Sequence, residues 1–223
     1  MIQKYNEKPS LIRNRKYDVR YFMLIACTKP YLVLTHTGYA RISLEEYGTE
    51  GFGSGTKEDR ACHMTNASVQ KFHPDFKAKK EETIMTMDQV REYMLANNPE
   101  AAPSAEVFDA KVTRRCNEIC RLTFEAVKDR LERKFGCFEL FGLDFLLDED
   151  LNPQLIEVNT NPALFTDTTA QKNLLPKLVE DTVNIALQLH PFGKTDGKEE
   201  VKEFVEKEGH KMMQLPYDII YND

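Results

Sequence analysis

The stretch from Glu139 to Asn161 leaves few ways to fold. Two apolar, alternating runs flank the polar segment Glu149-Asp150-Leu151-Asn152-Pro153, the pattern of a β-hairpin. With residues 149–152 as the loop, partners on the two strands sum to 301, which sets Asp144 directly opposite Glu157. Side chains alternate along a strand, so Asp144, Leu146 and Asp148 share a face with Leu155, Glu157 and Asn159. Two carboxylates facing each other repel, and need a cation, a shared proton or open water. Oxygens from Asp, Glu and Asn suit Mg²⁺, which takes a few protein ligands and completes its shell with water and phosphate. The same pattern also describes an amphipathic hairpin whose acidic face is solvated.

Lys16 to Cys27 is rich in aromatic and branched residues and reads as a strand. Alternation puts Lys16, Asp18, Arg20 and Phe22 on one face and Tyr17, Val19, Tyr21 and Met23 on the other. The charged face is either a surface ion pair of little energetic worth or a row of donors facing phosphate. Lys29-Pro30 turns the chain into a second strand, Tyr31 to Thr35, and Gly38 to Ser43 supplies a third, interrupted by Arg41. Residues 48–62 are glycine-rich and read as a flexible loop; they contain no G-x-x-x-x-G-K-[ST] pattern. In the turn-like segment that follows, Thr65 and Asn66 are of the type that stabilises loops.

Met87 to Leu95 forms a short helix ended by Asn97-Asn98-Pro99. Ser104 caps a long helix reaching about Phe135, packed through Ile119, Leu122, Ala126, Val127 and Leu131 and stopped by Gly136. Another helix begins near Pro176, with Leu175, Leu178, Val179, Thr182, Val183 and Ala186 on its apolar stripe. Residues 193–211 are charged and point to a weak helix or disorder, so 193–223 reads as a charged C-terminal tail behind a domain over 1–192.

A net charge of −6 argues against a nucleic-acid partner, although Arg13, Arg15, Lys16 and Arg20, and then Lys71, Lys77, Lys79 and Lys80, form local basic clusters suited to an acidic ligand. The five cysteines are odd in number and include no Cys-x-x-Cys pair, which speaks against a disulfide framework or a zinc site. No apolar run approaches a membrane span and no signal-peptide pattern opens the chain.

Taken together, Gln3-Lys-Tyr5, Arg15 to Arg20, Gly38-Tyr-Ala-Arg41, Thr65-Asn66 with Lys71, and Phe141-Gly-Leu-Asp-Phe through Ile156-Glu-Val-Asn-Thr-Asn-Pro162 resemble the tubulin-tyrosine-ligase-like amino-acid ligases. The wording of Leu24 to Tyr31, Gly38 to Ser43 and Lys80 to Thr83 is most similar to the protein polyglycylase branch. The resemblance implies an α+β chain, the C-terminal part of an ATP-grasp fold, mostly antiparallel sheet with packed helices. It also implies ATP and Mg²⁺ as cofactors. Gln3, Lys4 and Tyr5 would form a hinge strand along the adenine, Lys16 and Asp18 would face the nucleotide with Ile156, and His63, Met64, Thr65 and Asn66 would touch ribose and phosphates. Arg20 and Arg41 would act at the reacting phosphoryl group, and Asp144, Glu157 and Asn159 would hold magnesium. The implied reaction acylates glycine, or in a polyglutamylase glutamate, with a glutamate side chain of tubulin or another acidic protein. The implied location is the cytoplasm at microtubules, cilium or flagellum included. A non-catalytic, partner-binding remnant is the alternative from another class. In the family's order a first ATP-grasp half would precede Gln3, so the sequence as it stands is expected to bind ATP weakly.

Overall fold

The computed structural model describes residues 4–49, 57–209 and 217–223; the expectation for Gln3 lies outside them. Leu11–Ile12 (β1) turns into Arg15–Thr28 (β2) through Arg13 and Asn14, both at positive φ (54° and 59°), as a tight two-residue hairpin requires. Tyr31–Ile42 (β3) returns beside β2 as one strand rather than the two expected. The interruption read at His36-Thr37 is the approach to a bulge. Tyr39 pairs with Arg20 while His36 pairs with Phe22, so β3 spends one extra residue there, at Gly38 with φ of 59°. The His36 ring fixes this bend: its Nδ1 accepts the Gly38 N–H at 3.1 Å. Burial holds the imidazole down at about 4, against a smaller upward pull from Asp181, so the ring is a neutral acceptor.

Three short helices, Lys57–His63 (α1), Ala67–Gln70 (α2) and Phe76–Lys79 (α3), lead into a 3₁₀ turn at Lys80–Thr83 and the strand Ile84–Thr86 (β4). Met87–Asn97 (α4) follows behind a capping box of Thr86 and Gln89. Ser104 does cap a helix, accepting from the Val107 N–H, but the expected long helix is broken at Val112 into Ala105–Lys111 (α5) and Thr113–Val127 (α6). The buried face of α6 is Cys116, Cys120 and Phe124; Leu122 and Val127 are exposed. Small buried cysteines let α6 approach the sheet; of the residues expected to pack, Ile119 and Leu131 do lie against this core.

Glu139–Leu147 (β5) and Pro153–Asn159 (β6) form the expected hairpin. Thr169–Leu189 (α7) starts a full two turns before Pro176, which lies inside it, and Val179 and Val183 face outward. Thr168 caps α7, accepting from the Gln171 N–H while Gln171 reaches back. Thr168→Ala is therefore expected to cost about 1 kcal/mol, read as a lowered urea midpoint with an unchanged slope. The charged segment after residue 193 carries Lys198–Gly209 (α8), which buries Val201 and Phe204, and Tyr217–Asn222 (β7), paired with β3.

The seven strands make one sheet in the order β4-β3-β2-β5-β6, with β1 on β2 and β7 on β3, and the pairings are antiparallel. Helices cover both faces. Tyr17, Val19, Tyr21 and Met23 of β2 pack with Leu143 and Phe145 against α4, α5 and α6. Phe22, Leu24 and Ala26 pack against α7 and α8 on the other face. This α+β architecture is the one the resemblance implied. No helix among the described residues is long and apolar enough to cross a membrane.

Candidate functional site

The extra residue at Gly38 decides where Arg41 points. Tyr31 and Val33 belong to the core face under α6, and strict alternation would put Tyr39 and Arg41 there too. The bulge reverses the parity, so Tyr39 and Arg41 join Asp18 and Arg20 on the other face.

There the three strands interlock their charges. Asp18 is the register partner of Arg41, and Arg20 of Asp144. Arg41 grips Asp18 through Nε and Nη2 at 2.6 and 2.8 Å, and Arg20 grips Asp144 in the same forked way at 2.6 and 3.2 Å. Arg41 Nη2 also reaches past β2 to Asp144 Oδ2 at 2.7 Å. All four side chains are nearly withdrawn from water. Burial pushes the Asp144 carboxyl up, but Arg20 and Arg41 together outweigh it and hold the group below the ordinary carboxylate range. Burial likewise opposes charge on Arg41, and its two aspartates overcome it and raise its pKa.

Thr65 donates its hydroxyl to Asp18 Oδ2. Its loop is held by Gln70 of α2, whose amide donates to Thr65 O at 2.7 Å and Ile42 O at 3.2 Å. Asn66 lines a pocket with Arg20 and Arg41. His63 and Tyr5 form a neighbouring cluster: Tyr5 Oη meets His63 Nδ1 at 3.0 Å, and Lys16 donates to Tyr5 Oη at 2.9 Å while lying over its ring. Burial lowers the Lys16 pKa, against upward pulls from Asp18 and Cys62. Lys4 and Tyr5 are not in a strand; they line an open depression with Gln154. Met64 is exposed and joins none of these contacts.

The hairpin places Asp144 opposite Glu157 and Gly142 opposite Asn159, as the sum of 301 requires. The turn is nevertheless one residue longer than expected, Asp148–Asn152, and Leu147 pairs with Pro153. Asp148 is drawn into that turn, accepting the Asp150 and Asn152 N–H groups, so it does not share the Asp144 face. A bulge at Ile156 restores the register. In consequence Leu155 pairs with Phe145 and packs on the core side, not beside Glu157, and Ile156 stands half-exposed in the bulge.

Glu157 is exposed, accepts from Asn159 Nδ2 at 3.2 Å, and forms no ion pair among the described residues. Asp144 accepts one hydrogen bond on Oδ1 and two on Oδ2, which leaves room at Oδ1 for one further partner. The donor set Asp144, Glu157 and Asn159 thus fits a hard divalent cation. Two glycines that residue chemistry did not single out make this geometry possible. A Cβ at Gly142 would lie 2.7 Å from Pro162 Cβ and 3.2 Å from Arg20 Cδ, so Arg20 reaches Asp144 across bare backbone. A Cβ at Gly38 would lie 2.0 Å from the Arg20 carbonyl oxygen. Gly142 sits inside the Phe141-Gly-Leu-Asp144 motif, which is the signal that pointed to it.

Comparison with known proteins places the chain among characterised relatives. The protein polyglycylase TTLL10 of Macaca fascicularis is 36% identical over 190 residues, 84% of this chain and 30% of that protein. The human counterpart, named an inactive polyglycylase, is 35% identical over 84% of this chain and 27% of its own length. A probable tubulin polyglutamylase, TTLL9 of Rattus norvegicus, is 32% identical over 82% of this chain and 37% of its own length. The chain thus spans about a third or less of the length of these curated relatives. Residues 1–196 match the tubulin-tyrosine ligase family throughout, and the chain belongs to that family.

Proposed function

We propose that this chain is the catalytic region of an ATP-dependent ligase that joins free glycine to glutamate side-chain carboxylates of tubulin or another acidic protein. The observation that carries this reading is the forked Arg20–Asp144 and Arg41–Asp18 interlock beside the Glu157–Asn159 edge. The acceptor carboxylate attacks the γ-phosphorus, ADP leaves, and the amine of glycine then displaces phosphate from the acyl phosphate to form the amide.

Asp144, Glu157 and Asn159 would hold magnesium, which when bound offsets charge on the phosphates. Arg20 and Arg41 supply guanidinium groups fixed by Asp144 and Asp18, so little reorganisation is needed as charge gathers on the transferred phosphoryl group. Thr65 and Gln70 hold the segment His63–Asn66 against that face, where it would border ribose and phosphates. Lys16, Tyr5 and Ile156 would line the nucleotide's other side, with Lys4 at the rim. Work on tubulin would put the protein at the cytoplasmic microtubule cytoskeleton, cilia included.

Similarity to a probable polyglutamylase supports glutamate as the second candidate donor, and the human relative named inactive supports a non-catalytic reading. Incubation with MgATP, an acceptor bearing a glutamate-rich tail and isotope-labelled glycine or glutamate separates the three by mass increment. Glycine increments support the proposal; glutamate increments or none contradict it. Glu157→Gln is expected to reduce ligation about 100-fold or more. Its melting temperature should hold, because the exposed carboxylate it replaces faces a like charge.

A further inference from the structure

The pocket beside the interlock has a volume of about 230 Å³, below the ~300–1,000 Å³ usual for drug-sized ligands, so it suits a small metabolite. Four ionic side chains line it: Arg20, Arg41, Lys80 and Asp167. Two of them are committed elsewhere: Arg20 and Arg41 give Nε and Nη2 to Asp144 and Asp18 on the sheet side, and in the ligase reading their remaining N–H groups serve the phosphoryl group. The other two form a bridge of their own, Lys80 Nζ to Asp167 Oδ1 at 3.2 Å, with the Lys80 side chain 33% and Asp167 59% exposed. A half-solvated pair of this kind contributes little to stability and opens easily.

Its two halves are nevertheless held in position. Lys80 starts the 3₁₀ turn, Asp167 precedes α7, and Glu81 clamps the two segments by accepting the Thr169 N–H at 3.0 Å. Tyr39, Phe76 and Phe165 form the aromatic walls. The pocket therefore presents one available cation and one available anion a hydrogen bond apart, the complement of a carboxylate and an ammonium on the same small molecule.

We propose that this pocket holds the incoming amino acid as a zwitterion, with Lys80 taking its carboxylate and Asp167 its ammonium, and that its charge balance selects glycine over glutamate. This rests on the ligase reading and names the donor site within it. The selection follows from counting. A second carboxylate on the ligand would have to compete with the phosphoryl group for the remaining N–H groups of Arg20 and Arg41, or sit unpaired near Asp167, and either is costly. Among the described residues lining the pocket there is no cation besides Arg20, Arg41 and Lys80.

The test measures binding of labelled glycine and labelled glutamate to the whole chain by saturation-transfer NMR, with Mg²⁺ and a non-hydrolysable ATP analogue present. The expected result is glycine bound at least tenfold more tightly than glutamate, and a loss of tenfold or more in Lys80→Met and in Asp167→Asn with unchanged melting temperatures. Ser68→Lys, which adds a cation at an exposed position on the pocket rim, is expected to raise glutamate affinity severalfold, an effect that a purely structural ion pair would not show. Glycine binding that survives Lys80→Met, equal affinity for the two amino acids, or displacement of glycine by a glutamate peptide capped at both ends would each overturn the assignment. A chain that binds glycine through these residues yet ligates nothing refutes the ligase reading alone. Ligation with an unaltered KM for glycine in Lys80→Met refutes the pocket alone.

Discussion

Replacing Asp144 with alanine is expected to remove about 3–5 kcal/mol of stability, the usual cost of leaving a buried charge without its partner. Arg20 would lose both of its forked hydrogen bonds, whereas Arg41 would keep Asp18. Urea denaturation of the two proteins measures the difference. The loss should shrink when Arg20 is also replaced by methionine, because the stranded guanidinium is then gone, and a double variant no better than the single would contradict the argument. The same carboxylate sets a pH dependence. Because Arg20 and Arg41 hold its pKa below the unfolded value, its contribution is complete above the ordinary Asp range near ~4 and is lost as pH falls through the folded value. The Asp144→Ala protein should therefore show a flatter acid limb than the wild type.

Gly38→Ala is expected to have an effect of similar size by a different route. A left-handed backbone costs a residue with a Cβ about 1–2 kcal/mol. The clash with the Arg20 carbonyl 2.0 Å away adds overpacking, commonly about 1–3 kcal/mol. Asparagine tolerates positive φ, but it carries the same Cβ, so Gly38→Asn should recover only the smaller part. Equal urea midpoints for wild type and Gly38→Ala would sink this account. The injury should reach the site, since the bulge that Gly38 permits is what turns Arg41 toward Asp18 and Asp144.

Much of this was legible from the sequence because period-2 alternation is a strong signal when the two faces of a strand differ in chemistry. The faces of β2 emerged residue for residue, with Lys16, Asp18 and Arg20 opposite Tyr17, Val19 and Tyr21. The pairing of Asp144 with Glu157 matched the expected sum only because the longer turn and the bulge at Ile156 cancel. What alternation cannot show is an irregularity that conserves its own pattern. The bulge at Gly38 makes β3 read as two short strands, and only three-dimensional pairing shows that they are one. The break at Val112 is hidden because α5 and α6 each keep an amphipathic stripe. Interactions between distant segments are hidden as well. Nothing local in Lys80 or Asp167 announces their bridge, and the clamp from Glu81 to Thr169 spans 88 positions. Composition left the late segment open between a weak helix and disorder; it carries α8, and Val201, Phe204 and Tyr217 supply the apolar surface that anchors it.

The hairpin's two irregularities have a consequence for how such a chain tolerates change over generations. The long turn Asp148–Asn152 shifts the pairing by one residue, and the bulge at Ile156 shifts it back before Glu157 is reached. Either alone would turn the outer half of β6 over and carry Glu157 and Asn159 to the core side. They therefore offset each other, as an insertion and its suppressor do. A lineage can lengthen or shorten this turn freely as long as the bulge changes with it, so variation at the tip never reaches the acidic edge. In that sense the bulge insulates the chemistry of β6 from the drift of its own loop.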